Sequence, residues 1–318
     1  MSARILFTTS KSLPVSEATL AQPESPIWPE GEAPGARNSS VSENIIDHSK
    51  VGAEFAERAI TGVRTPTITA YLPEKPNGVA LLVTPGGSYQ RVELDKEGSD
   101  LAAVFNAQGY TLFVMTYRMP ADGHAEGANA PLVDAQRALR TLRLNAEKWS
   151  IDPQRIGVLG FSSGGHVAAS LATRYDERVY PATDVIDNVS ARPDFLALMY
   201  PVITMQENIA HPGSRKALIG EHPAPEQIQQ YSPEKCITES SPPTFLVHAV
   251  NDPAVLVDNS LVMFSALRAQ HVPAEMHLFE QGGHGFGIRG AVGLPAASWP
   301  ELLMNWIEAL PASRVKGG

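Results

Sequence analysis

The pattern of apolar and polar positions changes at Asn77-Gly78. Before that point, residues 1–43 are rich in Pro, Gly, Ser and Ala, and Pro14, Pro23, Pro26, Pro29 and Pro34 interrupt any periodicity. This predicts an irregular arm, pinned to the body by Trp28. From Asn44 to Leu72 the β-branched content rises, first in Ile45-Ile46 and then from Val63 onward, which predicts an antiparallel opening hairpin. Beyond Gly78 short apolar runs alternate with amphipathic ones. Residues 79–83 are wholly apolar, as in a strand buried on both faces. Residues 97–108 carry Leu101, Val104 and Phe105 at helical spacing, with Gly109 as the stop.

The rhythm continues through a strand at 111–116 and a helix at 131–149, whose buried stripe is Leu132, Ala135, Leu139 and Leu142. A strand at 155–160, a helix at 164–173 and strands at 195–199 and 244–248 follow. The last elements are a helix at 258–270, a strand at 274–279 and a helix at 299–310. Such alternation demands the α/β class, a mostly parallel central sheet with helices on both faces. It predicts a single domain over 44–318, in which residues 201–243 break the pattern as a cap-like insertion.

One motif sits where this pattern makes it meaningful. Gly160-Phe161-Ser162-Ser163-Gly164 matches G-x-S-x-G between an apolar strand and a helix, the setting of a nucleophile on a sharp strand-to-helix turn. A serine hydroxyl needs a base. His284, in the glycine-rich run Gln281 to Gly287 after the last strand, is the histidine placed to swing over it. His166 and His248 fall within or at the end of elements and read as structural; His124, His211, His222 and His271 read as loop or surface residues. The acid of such a triad follows the penultimate strand, which selects Asp252 over Asp258, a residue better explained as a helix-start acid. The expected oxyanion donors are the amide of Ser163 and, from the Pro85-Gly86-Gly87 turn, that of Gly87. Tyr89 and Tyr200 are candidates to line a small substrate pocket.

Composition narrows the partners. With 25 basic and 34 acidic residues among 318 the net charge is −9, and no Lys/Arg cluster stands out, so neither nucleic acid nor an anionic membrane is an expected partner. Cys236 is alone, which excludes an intramolecular disulfide, and its polar surroundings read as structural. No metal spacing or nucleotide loop is evident, and no cofactor is expected. Ile5-Leu6-Phe7 near Arg4 and Lys11 is too short for a signal-peptide core; the chain as written leans to the cytoplasm, and a trimmed leader would leave the periplasm or the exterior open. The sequence is silent on oligomeric state.

Several motifs together resemble a known group. Trp28-Pro29-Glu30-Gly31, Pro85 to Tyr89, Leu94 to Gly98, Asp134 to Ala138, Gly160 to His166 and Gly282 to Phe286 resemble the α/β-hydrolases of the acetyl-xylan esterase and xylanase-associated esterase group, close to bacterial feruloyl and deacetylase esterases. The resemblance implies hydrolysis of short, acetyl-type esters on xylo-oligosaccharides or other sugars. Ser88 stands where this group often has a third glycine, and Asn251 and Leu256 alter the usual pattern around the acid. Glu97 and Asp134 belong to the group's pattern and read as structural acids. A serine peptidase or a non-catalytic binding protein on the same fold are the alternatives; the first generally carries an added domain for which there is no room, and the second generally lacks a triad member.

Overall fold

The computed structural model describes residues 21–36 and 39–311. The expectations for Arg4, Lys11, Ile5-Leu6-Phe7 and the start of the arm, including Pro14, fall outside them. The main sheet has eight strands in the order β1 (Ser25–Pro26), β4 (Thr67–Tyr71), β7 (Thr111–Met115), β5 (Ala80–Thr84), β8 (Ile156–Phe161), β9 (Leu196–Met199), β10 (Thr244–Ala249) and β11 (Ala274–Phe279). β1 and β4 run antiparallel to their neighbours, and the six from β7 to β11 are parallel.

Because side chains alternate along a strand, the apolar run of β5 serves two cores. Val79, Leu81 and Val83 meet α1 (Asp100–Asn106) and α7 (Trp299–Ala309) through Leu101, Phe105, Trp299, Leu303 and Ile307. Ala80 and Leu82 face α2 (Ala130–Leu144), α3 (Ser162–Thr173) and α6 (Asp258–Ala269) through Leu139, Val167, Leu171, Met263 and Leu267. Each fully buried side chain of this size contributes about 1.5–3 kcal/mol relative to an exposed one.

An antiparallel opening hairpin forms within 44–72 as expected, but the second β-branched run is not its partner strand. β2 (Asn44–Asp47) pairs with β3 (Arg58–Thr61), which pairs in turn with β6 (Val92–Glu93) in a separate three-stranded sheet, while β4 leaves to join the main sheet against β7. Both runs are β-branched, and only pairing partners distant in sequence divide them between two sheets. The arm is anchored as expected at Trp28. Its indole N–H donates to Asp134 at 2.9 Å, its ring meets Tyr180 edge-on, and the Arg137 guanidinium lies 5.1 Å from its centroid. Asp134, inside α2, is also paired with the buried Arg118.

In residues 201–243, α4 (Pro212–Ile219) and α5 (Pro225–Gln230) are joined by irregular chain. The buried Asn259 ties the segment to α6, taking the amides of Ile203 and Thr204 and donating to the carbonyl of Ile209. At the centre of the sheet the connections diverge: the chain leaves β5 for β7 on one side, and β8 flanks β5 on the other. A crevice outside the carboxyl ends of the strands at such a reversal is where ligands bind on open α/β sheets.

Candidate active site

Thr84 at the end of β5 is in register with Gly160 of β8, so the two loops that follow these strands lie side by side. Ser162 begins α3 directly, two residues before the predicted helix start, with φ 51°. A residue with a side chain held there stores about 1–3 kcal/mol, which one buried apolar side chain of the core offsets. The turn is held by Val202 N–H donating to the Ser162 carbonyl at 2.9 Å and Thr84 Oγ1 donating to the Gly164 carbonyl at 2.8 Å. Gly164 has to be glycine, since a Cβ there would lie 2.0 Å from the Thr84 carbonyl oxygen. The Ser163 amide lies in the first turn of α3, where N–H groups have no intrahelical acceptor and the helix end favours negative charge.

Above the serine stands His284, with Nε2 2.9 Å from Ser162 Oγ. Its Nδ1 lies 2.7 Å from Asp252 Oδ2. The His284 side chain is 25% exposed and the Asp252 side chain 0%. Asp258 instead opens α6. Burial pushes the Asp252 carboxyl upward, but hydrogen bonds from His248 and His284, the charge of His284 and the Val255 amide outweigh it and hold the group well below the usual carboxylate range. Asp252 Oδ1 accepts the amides of Ala254 and Val255, both at 2.9 Å. His248 touches the same carboxylate, Nε2 lying 3.3 Å from Oδ2 while it donates to the Val255 carbonyl at 2.9 Å. Sequence reasoning missed this contact. The spacing of four residues between His248 and Asp252 was its one signal, and only the chain reversal after β10 brings the two together.

On the other side of Ser162, the loop after β5 places Gly87, Ser88 and Tyr89 in succession at φ 138°, 58° and 59°. At Gly87 a side chain is excluded, because a Cβ would sit 2.1 Å from the Arg91 carbonyl oxygen. The Gly86 amide donates to Glu97 Oε2 at 2.8 Å and is taken, whereas the Gly87 amide, the loop's donor candidate beside that of Ser163, is not taken by any of the described residues. Glu97 lies in a wide turn, Asp95–Ser99, that replaces the predicted first turn of the helix. Its inward carboxyl and the Asp95–Arg58 pair hold the chain away from regular α geometry. Burial raises the Glu97 pKa against the lowering pull of the Gly86 amide, His284 and Tyr200.

Tyr89 and Tyr200, the candidates to line a small substrate pocket, are 2% and 0% exposed. Tyr200, at φ 38°, packs its ring edge-on to His284 and Phe286, and its hydroxyl accepts the Gly287 amide at 3.1 Å. Tyr89 Oη lies 2.6 Å from His166 Nδ1. Both rings thus pack against histidines, Tyr200 on His284 and Tyr89 on His166. His211 caps α4, its Nδ1 accepting the Ser214 amide at 3.2 Å. Among the described residues no three His, Cys, Asp or Glu side chains gather as a metal site, and no helix is long and apolar enough to cross a membrane.

Comparison with known proteins gives concordant likenesses. The BD-FAE family model matches residues 70–267. The acetylxylan esterase of Xylanibacter ruminicola is 31% identical over 258 residues, 78% of this chain and 49% of that protein. Endo-1,4-beta-xylanase B of Butyrivibrio fibrisolvens is 34% identical over 230 residues, 70% of this chain and 35% of that protein. The chain thus spans about half of the first relative and about a third of the second. Among solved structures, the acetyl ester-xyloside bifunctional hydrolase from Caldicellulosiruptor lactoaceticus superposes with a TM-score of 0.69 at 36% identity, covering 82% of this chain and 90% of that one.

Proposed function

The chain belongs to the BD-FAE family, on the α/β-hydrolase fold, and from that footing we propose that it is a serine carboxylic-ester hydrolase for short acyl groups, acetyl foremost, on xylo-oligosaccharides or other sugars. The observation that carries the reading is the unbroken relay of 2.9 Å from Ser162 Oγ to His284 Nε2 and 2.7 Å from His284 Nδ1 to Asp252 Oδ2. Asp252 holds the imidazole with Nδ1 protonated, which leaves the Nε2 lone pair for the serine proton. As Ser162 Oγ attacks the acyl carbonyl, that proton passes to Nε2 and the carbonyl electrons move to oxygen. The amides of Gly87 and Ser163 take up the oxyanion, each worth roughly 3 kcal/mol in the transition state. Collapse expels the sugar alkoxide, which leaves with the proton from His284. Water then repeats the cycle on the acyl-enzyme and releases the acid.

The acyl preference rests on reading the 201–243 segment as one wall of the pocket. The 201–243 segment exposes Gln206, Glu207 and Asn208 and carries a polar run from Glu221 to Gln230, unlike an apolar lipase flap. A methylene gains about 0.8 kcal/mol only where there is room to bury it, so a small pocket with this polar segment as one wall would gain nothing from longer chains. Relatives named for acetylxylan and xylan chemistry support the sugar side of the reading. The test is kcat/KM across p-nitrophenyl acetate, butyrate and octanoate beside acetate release from acetylated xylo-oligosaccharides. Acetyl is expected first, with octanoate far behind; a value rising through the octanoate, or jumping above its solubility limit, makes this a lipase instead.

A further inference from the structure

His166 lies one helical turn beyond Ser162 on α3 and is 1% exposed. Its two ring nitrogens join two segments distant in sequence. Nδ1 lies 2.6 Å from the hydroxyl of Tyr89 on the oxyanion-side loop, and Nε2 lies 2.7 Å from the carbonyl oxygen of Tyr231, just past α5 in the 201–243 segment. A carbonyl oxygen only accepts, so Nε2 carries the ring proton. Burial lowers the His166 pKa to about 4, against the opposing pull of the Tyr231 carbonyl, so the ring is neutral at working pH and Nδ1 is a bare lone pair. The Tyr89 hydroxyl is therefore the donor, and burial keeps it protonated by lifting the phenol well above its ordinary pKa. Ser170 Oγ, 3.4 Å from the same Nδ1, is the weaker neighbour. Tyr231 is fixed in its turn, its hydroxyl donating to Asn129 Oδ1 at 3.2 Å and the Arg174 guanidinium 5.3 Å over its ring.

We infer that His166 is a positioning residue for the oxyanion loop, a tautomer-locked peg that through Tyr89 fixes the Gly87 amide and couples it to the seating of the 201–243 segment. The inference rests on the esterase reading above. Its force comes from the loop itself. Ser88 and Tyr89 both lie in the left-handed region, where residues with side chains stay only under outside support. Gly86 is held by Glu97 at one end of the loop, the Gln90 and Arg91 amides close the turn on the Gly87 carbonyl, and the Tyr89 hydroxyl is the side-chain hold that ties this turn to α3. Releasing it lets two strained residues relax and carries the Gly87 amide with them.

Tyr89→Phe tests this, because it deletes one hydroxyl and keeps the ring that packs edge-on to His166. The expected result is a kcat reduced about tenfold to hundredfold, below the 10²–10³-fold cost of losing an oxyanion donor outright. KM should stay within about twofold, and affinity for a trifluoromethyl ketone, which forms the tetrahedral adduct, should fall in step with kcat/KM. His166→Ala should act through the same hold, so the double variant should be no worse than His166→Ala alone. Where His166→Ala loses the fold, Tyr89→Phe alone carries the test. Wild-type kcat and inhibitor affinity in Tyr89→Phe, a change confined to KM, or additive losses in the double variant each overturn the inference while leaving the esterase reading in place. A wild-type protein that hydrolyses no ester overturns both.

Discussion

On the acid side of Ser162, Asp252 is held largely by its own neighbourhood in sequence. The amides of Ala254 and Val255 close on one carboxylate oxygen, and His248 lies four residues back. On the proposed oxyanion side, Gly87, Ser88 and Tyr89 have positive φ in a turn closed by the Gln90 and Arg91 amides on the Gly87 carbonyl, and side chains from elsewhere tie it down, Glu97 at Gly86 and His166 at Tyr89. The difference teaches where each half is vulnerable. An anion saturated by amides of its own loop stays in place while that loop is intact. A strained turn, even with its own backbone bonds made, also depends on distant groups staying where they are.

The largest effect removes the residue both halves serve. Ser162→Ala should lower kcat on the order of 10⁶-fold with the fold retained, checked by ester turnover and loss of labelling by an organophosphonate. Persistent labelling would point to another serine and dissolve the comparison at its centre.

Next comes the acid side. Asp252→Asn should lower kcat about 10⁴-fold, because an amide cannot hold the imidazole in its working tautomer, whereas Asp258→Asn should leave it within about twofold. If Asp258→Asn is the more damaging, the acid has been misassigned. The two changes also differ in stability. The folded-state pKa of Asp252 is depressed, so its stabilisation is present at neutral pH and lost as pH falls through that low value. Asp252→Asn removes this contribution, and urea midpoints for the variant should be lower than wild type at pH 7, the gap narrowing towards strong acid.

The smallest effect tests the Glu97 hold. Glu97→Gln keeps a carbonyl oxygen for the Gly86 amide, so kcat should stay within about tenfold of wild type. Its signature is in pH dependence. Burial raises the folded-state pKa of Glu97, so the folded protein binds that proton more tightly than the unfolded chain does. This contribution to stability is full at low pH and is lost as pH rises through the raised value. Glu97→Gln abolishes the loss, so its urea midpoint relative to wild type should climb with pH. A constant difference would mean that Glu97 does not titrate in this range and that its hold on the loop is that of a permanent anion.

From the chain alone follow the alternating elements, the mostly parallel sheet and the candidates Ser162, Asp252 and His284. Period-two and helical patterning record which faces are buried, and glycines record where chain segments approach closely, as at Gly164. Strand limits fell within a residue or two for the same reason, as at 274–279. The opening region was not legible in this way, because equal β-branched runs at 44–47 and 67–71 say nothing about which sheet each will join. Only the tertiary structure decided that Tyr89 and Tyr200 are buried, that Glu97 leaves helical geometry to take the Gly86 amide, and that His166 bridges residues 77 positions behind it and 65 ahead. A buried polar side chain needs a partner, and that need is local. The partner's identity is settled by how distant elements pack, which no pattern along the chain encodes.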